Sequence, residues 1–424
     1  MRRRVFSSLV PGLAALGCAP QRADAPRSPG SPPAGAPRGP DDEAWWSQIA
    51  GLYPPLDFIN LENGFFTRAA APVMDAHRRA RDAINREGAR YMRLSLLPAL
   101  EAVRTRLAAL LHTVPEQVAL LRNTTEAMNL VLQGLPWQPG DELLGSDQDY
   151  PTNVEIEDTL VRRRGVVLRR ARVPEAPASD AEVVDAFVRE LGPRTRAALV
   201  THVIHLSGQV LPVAAICAAL RERGVLAIVD GAHALGQLEV DPAGLSADVY
   251  AASLHKWLGA PLGNGVLWLR REHIAAIEPL FADTSKASDD IRRFEHVGTR
   301  PAHDVVAVDD AIALHEHIGV AAKRARLLWL RERWVDAVAS LPGVRLRCPR
   351  AQPRASAIAT VAVEGMAPAA LAERLWQQHR IYTVAIEHPV IQGVRVSVHP
   401  STPVAHVDAI AQALASSSRR GPGA

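Results

Sequence analysis

Residues 247–270 read ADVYAASLHKWLGAPLGNGVLWLR, two apolar runs that flank a small-residue segment containing Lys256. Lys and Arg together number 48 in this chain of 424 residues, yet the lysines are only Lys256, Lys286 and Lys323. A guanidinium stays protonated and cannot condense with an aldehyde, whereas an amine can. A chain so rich in arginine is therefore expected to keep a lysine where the chemistry requires an amine, and this stretch predicts a functional lysine after a strand.

The sequence around this stretch alternates between short β-branched runs and amphipathic helical stretches over residues 73–310. Such alternation favours a mostly parallel sheet built from βαβ units. From about residue 340 the pattern changes to short strands with two helices, which predicts a smaller α/β domain. We therefore predict an N-terminal segment over 45–72, a large α/β domain over 73–310, a small C-terminal α/β domain over 311–415 and a disordered tail over 416–424.

Composition and charge are those of an ordinary globular protein, with 48% hydrophobic and 22% charged residues. The formal net charge is +3 without a long basic block, so we expect no nucleic-acid partner. Cys18, Cys217 and Cys348 form neither a disulfide framework nor a zinc pattern, and we expect no metal site.

The N-terminus, MRRRVFSSLVPGLAALGCAP, has the architecture of a signal peptide over residues 1–18. Its Arg3-Arg4-Val5-Phe6 segment resembles a twin-arginine export motif, and the residues up to Cys18 form an imperfect lipoprotein cleavage box. Residues 19–44 are rich in Pro, Gly and Ser and predict a disordered linker. We expect export to the periplasm, with a lipid anchor at Cys18 as an option. The alternative is a cytoplasmic protein with a disordered extension or a misassigned start.

Polar residues stand at the ends of several predicted strands. Asp230 follows the apolar run VLAIV and precedes Gly231-Ala232-His233, while residues 123–126 (NTTE) follow the run VALLR at a strand-to-helix junction. Each has an ordinary interpretation, because an aspartate after a strand is often a turn residue and NTTE can be a helix N-cap with a capping glutamate. A helix start is also a ready site for an anion such as phosphate.

Taken together, these residues predict a site for pyridoxal phosphate (PLP). This cofactor requires an imine-forming lysine, polar groups around its phosphate and an acid that keeps its pyridine nitrogen protonated. Lys256 supplies the amine, Ser253 and His255 stand beside it, and Asp230 supplies the acid.

The order and spacing of the motifs resemble the class V aminotransferase family, and within it the isopenicillin N epimerase-like branch. The resemblance covers roughly residues 45–415. It is carried by Asn123–Ala127, Thr201–Val203 with Ser207-Gly208, Asp230–His233 with Asp248, Ser253–Lys256 with Gly259–Gly265, Phe294–Arg300 and Val394–Ser397. It implies the fold-type I architecture of PLP-dependent transferases, in which helices flank a mostly parallel sheet and a small α/β domain follows. It also implies a homodimer with shared active sites.

The resemblance assigns a role to each matching residue. Lys256 would bind PLP covalently and move the substrate proton, Asp230 would pair with the ring nitrogen, and His233 would lie near the ring hydroxyl. The implied phosphate contacts are Thr124, Thr125, Ser253 and His255, with Thr299 of the neighbouring subunit. Tyr150 would stack on the ring, although an ordinary loop tyrosine is the alternative. The implied substrate contacts are Asn63 and Arg395, the latter through the substrate carboxylate, although a solvated surface arginine is the alternative.

The reaction implied is chemistry at the amino-bearing carbon of an amino acid or amino-acid-derived substrate, through aldimine and quinonoid intermediates. Aminotransferase and epimerase activities both fit, and a C–S or other β-elimination lyase is the alternative. A cysteine desulfurase requires a mobile nucleophilic cysteine, and residues 381–399 contain none. A PLP-binding sensor without catalysis is the remaining alternative, but the intact set of Lys256, Asp230 and Arg395 favours an enzyme.

Overall fold

The strands on either side of Lys256 are present, and they are neighbours in a seven-stranded sheet. The computed structural model describes residues 31–350 and 352–419. The predicted signal peptide, including Cys18, lies outside them. The strands are β1 (Ile59–Asn60), β2 (Val118–Leu121), β3 (Glu142–Ser146), β4 (Val167–Ala171), β5 (Thr195–Thr201), β6 (Leu226–Asp230), β7 (Val249–Ser253), β8 (Gly265–Leu269), β9 (Val344–Leu346), β10 (Ile358–Val363), β11 (Ile381–Tyr382), β12 (Val384–Glu387) and β13 (Gln392–Ser397).

Helices connect and cover these strands. They are α1 (Glu43–Ala50), α2 (Ala71–Glu87), α3 (Ala89–Leu94), α4 (Leu96–Leu110), α5 (Thr124–Gly134), α6 (Pro151–Arg164), α7 (Asp180–Val188), α8 (Val213–Arg221), α9 (Arg271–Ile274), α10 (Ala302–Val306), α11 (Val308–Ile318), α12 (Val320–Val338), α13 (Pro368–His379) and α14 (Val404–Arg419). Among the described residues, no helix is both long and apolar enough to cross a bilayer. The helix α14 extends into the tail that the sequence predicted to be disordered from residue 416.

The large sheet has the strand order β2-β8-β7-β6-β5-β3-β4. Strand β8 runs antiparallel to both β2 and β7, and the remaining neighbours pair in parallel. The mostly parallel sheet predicted from the sequence is therefore confirmed. Because β5, β6 and β7 are parallel neighbours, their last residues, Thr201, Asp230 and Ser253, lie at one edge of the sheet, where ligands bind in such folds.

Both faces of this sheet are covered by apolar side chains. Val229 packs in one hydrophobic cluster and its neighbour Ile228 in the other, as expected when successive side chains of a strand point to opposite faces. Strands buried on both faces read as continuous apolar runs, which explains the sequences LAIV and VYAA of β6 and β7.

The small domain holds the antiparallel sheet β12-β13-β10-β9, which packs with α12, α13 and α14 around a third cluster. Helix α11 instead contacts α2 and α4 of the large domain. Gly319, with a φ of 80°, separates α11 from α12. The domain border thus falls at Gly319 rather than at residues 310–311, because the helix that begins at Val308 buries its apolar face against the large domain.

The N-terminal segment belongs with both domains. Strand β1 pairs in parallel with β11 of the small domain. Part of the predicted disordered linker 19–44 is also held in place, since the carbonyl oxygens of Pro33 and Pro40 contact His317 Nε2 and Arg326 Nη1, each at 2.8 Å. The sequence did not reveal this order, because the partners of these two proline carbonyls lie almost 300 residues away.

Candidate active site

Lys256 lies in the turn after β7 and lines a cavity of about 230 Å³ at the carboxyl edge of the large sheet. Burial lowers the pKa of its amine to about 8, and the nearby Arg395 acts in the same direction, whereas Asp230 opposes the shift. The neutral amine is the form that attacks a carbonyl and accepts a proton. The cavity therefore raises the share of the neutral, reactive form of Lys256 near neutral pH above that of a free lysine.

His233 connects Lys256 to the indole of Trp257. The Trp257 Nε1–H group donates to His233 Nδ1 at 3.2 Å, and His233 Nε2 lies 3.3 Å from Lys256 Nζ. An indole N–H can only donate, so Nδ1 is the acceptor and the neutral ring carries its proton on Nε2. Burial holds the pKa of His233 well below its usual value, so the imidazole is neutral. His233 therefore presents an N–H group towards the cavity and the lysine amine.

Asp230, the last residue of β6, is buried at the base of the cavity. Its Oδ2 accepts a hydrogen bond from Asn153 Nδ2 at 2.8 Å, and its Oδ1 accepts one from the backbone N–H of Ala232 at 3.0 Å. These contacts fix the carboxylate against the sheet edge. Asn153 was not among the predicted site residues, because it lies within α6 and its sequence gives no sign that it reaches β6.

The start of α5 supplies the polar end of the cavity. Asn123 caps this helix through its side chain, which accepts from the N–H of Glu126 at 2.8 Å. The N–H of Thr124 donates to Ser253 Oγ at 3.0 Å, and the two hydroxyl oxygens are 2.8 Å apart. The N-cap predicted from the sequence is thus present, and the backbone dipole of the same helix start favours an anion such as phosphate.

Thr125 and His255 also line this end of the cavity. His255 Nδ1 lies 3.2 Å from the carbonyl oxygen of Asn264, so Nδ1 carries a proton and donates. Burial lowers the pKa of His255, with Lys256 as the next cause. Of the predicted phosphate contacts, the structure brings together Thr124, Thr125, Ser253 and His255.

Two aromatic rings, Tyr150 and His205, also line the cavity. Lys256 Nζ lies 5.6 Å from the centre of the Tyr150 ring, and His205 packs edge-on against that ring at 5.1 Å. Burial lowers the pKa of His205 to about 3, helped by the charge of Arg395. The Nδ1 atom of His205 is buried without a partner among the described atoms. His205 was missed in the sequence, where it stands only four residues after the end of β5.

Arg395 and Asn63 lie beside the cavity rather than in its lining. Val394 and Val396 point into the small-domain core, so Arg395 points to the other face of β13. Its guanidinium forms a buried ion pair with Glu62 and donates from Nη1 to the carbonyl oxygen of His205 at 3.0 Å. Asn63 Nδ2 donates to the carbonyl oxygen of Ser397 at 2.8 Å. Both predicted substrate contacts thus already have hydrogen-bond or ion-pair partners within the chain.

Thr299 does not line the cavity of its own chain. It is exposed in the loop before α10, next to Gly298, whose φ is 72°. Its neighbour Arg300 anchors this loop by donating from Nη1 to the carbonyl oxygen of Leu120 at 3.1 Å. The loop is therefore fixed at its base and presents Thr299 to the surface.

No cysteine among the described residues lines the cavity. Cys217 is a fully buried residue of α8, and burial raises the pKa of its thiol to about 12. Cys348 follows β9, where Arg331 Nη2 contacts its sulfur at 3.3 Å and burial raises its pKa. Neither thiol is placed to attack a group held at Lys256.

The cavity fits PLP on its own geometry. An amine, a buried carboxylate and a helix start with two hydroxyl groups line one small cavity, and each matches one functional group of the cofactor. The Nδ1 atom of His205 is buried without a partner, and a bound molecule can form a hydrogen bond with it.

Comparisons with known proteins agree with this arrangement. The family model described as "Aminotransferase class-V" matches residues 71–410. The isopenicillin N epimerase of Streptomyces clavuligerus is 33% identical over 73% of this chain and 82% of its own length. The cysteine desulfurase of Dickeya dadantii is 30% identical over 72% of this chain and 74% of its own length.

Solved structures share the fold. A C-DES mutant with glycine covalently linked to the PLP cofactor superposes with a TM-score of 0.77 at 24% identity, covering 85% of this chain and 96% of that chain. The apo cysteine desulfurase from Thermococcus onnurineus gives a TM-score of 0.77 at 21% identity, covering 86% and 95%.

Proposed function

This chain belongs to the class V aminotransferase family, whose cofactor is PLP, and we propose that it acts at the amino-bearing carbon of an amino acid or amino-acid-derived substrate as an aminotransferase or an isopenicillin N epimerase-like epimerase. The observation that carries the proposal is that the Lys256 amine shares one cavity with Asp230 and the hydroxyl groups at the start of α5. When bound, PLP supplies an aldehyde that joins to amines and a ring that accepts electrons from a bond at the substrate carbon.

Lys256 would hold the cofactor and then move a proton at the substrate carbon. Its lowered pKa leaves a larger share of the amine neutral at the pH of most cells than in a free lysine. A general base works best when its pKa lies near the working pH. His233 orients this amine through its Nε2–H group, and Tyr150 limits how far the amine can swing.

Asp230 would hold a proton on the cofactor ring nitrogen. Asn153 and the N–H of Ala232 fix its two oxygens, so the carboxylate is oriented before any ligand binds. The phosphate would sit among Thr124, Thr125, Ser253 and His255. These contacts orient the substrate carbon towards Lys256, because both ends of the cofactor are then held.

The proposal includes a homodimer with shared sites. Thr299 is exposed on a loop that does not reach its own cavity, which suits a role at the site of a second copy. The mouth of the cavity carries Phe65 and Leu262, which are 68% and 58% exposed. Exposed apolar side chains at the rim of a polar cavity are typical of surfaces that a partner covers.

We also propose export to the periplasm through the twin-arginine route, with Cys18 as an optional lipid anchor. The basis is the N-terminal sequence alone. Because that route carries folded proteins, PLP would be bound before export.

A C–S lyase is the second candidate, because a cysteine desulfurase is among the relatives. A lyase that releases its sulfur product without a protein thiol needs only the groups around Lys256. A desulfurase that passes sulfur to its own cysteine is disfavoured, since neither Cys217 nor Cys348 lines the cavity.

Proton exchange at the substrate carbon tests the proposal. The purified PLP-loaded protein is incubated in deuterium oxide with a panel of amino acids and amines, and NMR follows exchange at the amino-bearing carbon. We expect exchange that Lys256→Ala abolishes. Keto-acid formation then identifies transamination, inversion identifies epimerisation, and pyruvate with cysteine persulfide from cystine identifies lyase activity. Absence of exchange across the panel, with PLP bound, would contradict the proposal and favour a sensor.

A further inference from the structure

The carboxylate of Glu62 forms an ion pair with the guanidinium of Arg395 beside the cavity. The two side chains are 6% and 9% exposed, and they form an ion pair between residues 333 positions apart. Glu62 also accepts hydrogen bonds from the N–H of Phe65 at 3.0 Å and from Ser397 Oγ at 3.3 Å. Two further polar groups therefore hold the Glu62 carboxylate in this pair.

This pair lies against the reacting groups and not in a remote core. Arg395 Nη1 donates to the carbonyl of His205, which lines the cavity, and Phe65, which contacts Glu62, lines it too. The charges of Glu62 and Arg395 both act on the Lys256 amine. A substrate that reaches Lys256 is thus within the field of both.

The ion pair with Glu62 limits the N–H groups that Arg395 can donate to a substrate. An arginine that binds a carboxylate presents two parallel N–H groups to it. Here Glu62 uses Nη2 and the His205 carbonyl uses Nη1. A substrate carboxylate would have to displace Glu62 and leave a buried carboxylate without its cation, which is strongly unfavourable. There is little free space beside Gly64 for a second carboxylate, because a Cβ atom built on this glycine would lie 3.5 Å from Arg395 Nη2.

We propose that Glu62 is a specificity-determining residue that masks Arg395, so that the enzyme prefers primary amines whose reacting carbon carries no carboxylate. This inference rests on the proposed function at Lys256 and defines its substrate class. A terminal amine can enter the cavity while the Glu62–Arg395 ion pair stays intact, whereas the carboxylate of an α-amino acid must compete with Glu62 for the guanidinium.

The test compares butylamine with L-norvaline, which differ by one carboxylate on the reacting carbon. For the wild-type holoenzyme we expect faster loss of the enzyme-bound cofactor absorbance with butylamine. Glu62→Gln keeps the size of the side chain and removes its charge. We expect it to raise kcat/KM for norvaline relative to that for butylamine by about tenfold to a hundredfold, the range for a gained charged hydrogen bond.

Binding of propionate gives a readout that does not depend on turnover. Propionate carries the carboxylate without the amine, and calorimetry measures its binding to the holoenzyme. We expect Glu62→Gln to bind propionate and the wild type to bind it at least about tenfold more weakly. In the double variant Glu62→Gln with Arg395→Gln this gain should disappear, which assigns the effect to the guanidinium.

Glu43→Gln is the matched control, because Glu43, at the start of α1, also forms an ion pair with a buried arginine, Arg326, and neither residue lines the cavity. It should change neither the substrate ratio nor propionate binding. The proposal is overturned if Glu62→Gln binds PLP and remains folded but the norvaline-to-butylamine ratio and propionate binding stay at wild-type values. It is also overturned if the wild type prefers norvaline. Failure of every amine to react would instead contradict the proposed function.

Discussion

His233 Nε2 lies 3.3 Å from Lys256 Nζ, while its Nδ1 accepts the indole proton of Trp257. This contact favours the neutral lysine amine. The Nε2–H group is a donor, and the nitrogen of Lys256 has a lone pair that can accept this hydrogen bond only when the amine is unprotonated. A histidine that lay near a lysine by chance would not need to carry its proton on Nε2. The relationship gives the first prediction.

Replacing His233 by Ala should move the pH profile of proton transfer to higher pH. The rate rises as Lys256 loses its proton, and burial sets the pKa of that amine to about 8. Removing the imidazole admits water and removes the hydrogen bond, so the pKa rises towards 10.5 and the ascending limb moves with it. Deuterium exchange measured from pH 6 to 10 checks this. An ascending limb that stays in place would show that His233 acts elsewhere.

Lys256→Met should stabilise the cofactor-free protein at neutral pH. The folded state holds an amine with a lowered pKa, so the unfolded state binds more protons between about pH 8 and 10.5. Stability of the wild type therefore rises with pH through this window. We expect the variant to be more stable by up to about 3 kcal/mol at neutral pH. Urea unfolding should show this advantage shrinking above pH 8, and an advantage independent of pH would contradict the account.

Ser253→Ala should weaken PLP binding without unfolding the protein. The lost hydroxyl contacts both the N–H and the hydroxyl of Thr124 at the start of α5. We expect the Kd for PLP to rise about tenfold, as for one hydrogen bond to a charged group. Thr159→Ala is the control, because its hydroxyl bonds to the backbone of its own helix at Glu155. Equal affinities of the two variants would remove Ser253 from the phosphate site.

Two inactive variants should restore activity when mixed. Lys256→Ala removes the amine from its own site, and Thr299→Glu places a carboxylate against the phosphate of the neighbouring site. A mixed dimer then carries one intact site, so refolding equal amounts together should recover about a quarter of wild-type activity. Analytical ultracentrifugation should show the dimer. Full loss of activity in the mixture, or a stable PLP-saturated monomer, would refute shared sites.

The sequence predicted the fold and most of the site because both depend on local patterns. Apolar runs ending in polar residues predicted β6 and β7 and placed Asp230 and Ser253 at one sheet edge. Family membership and the PLP cofactor, expected from the motifs, are confirmed by the comparisons. The residues that were missed reach the site through contacts between distant segments. Asn153 approaches Asp230 from α6, and His205 turns back after β5.

Glu62 shows this limit most clearly. It stands directly before Asn63, which the sequence did single out, but its partner Arg395 lies in β13 at the other end of the chain. An arginine between two valines predicts which face of the strand it occupies, and the structure agrees. The pattern cannot show that another carboxylate already occupies that arginine.

Borohydride reduction followed by peptide mass spectrometry tests the central claim most directly, because it fixes the cofactor to the lysine that binds it. Lys323 is the internal control, since burial lowers its pKa to about 7 and its amine donates to the carbonyl of Trp257 outside the cavity. We predict that the reduced cofactor is found on Lys256 and on neither Lys323 nor Lys286. Label on Lys323, or a PLP-saturated protein without label on Lys256, would contradict the account.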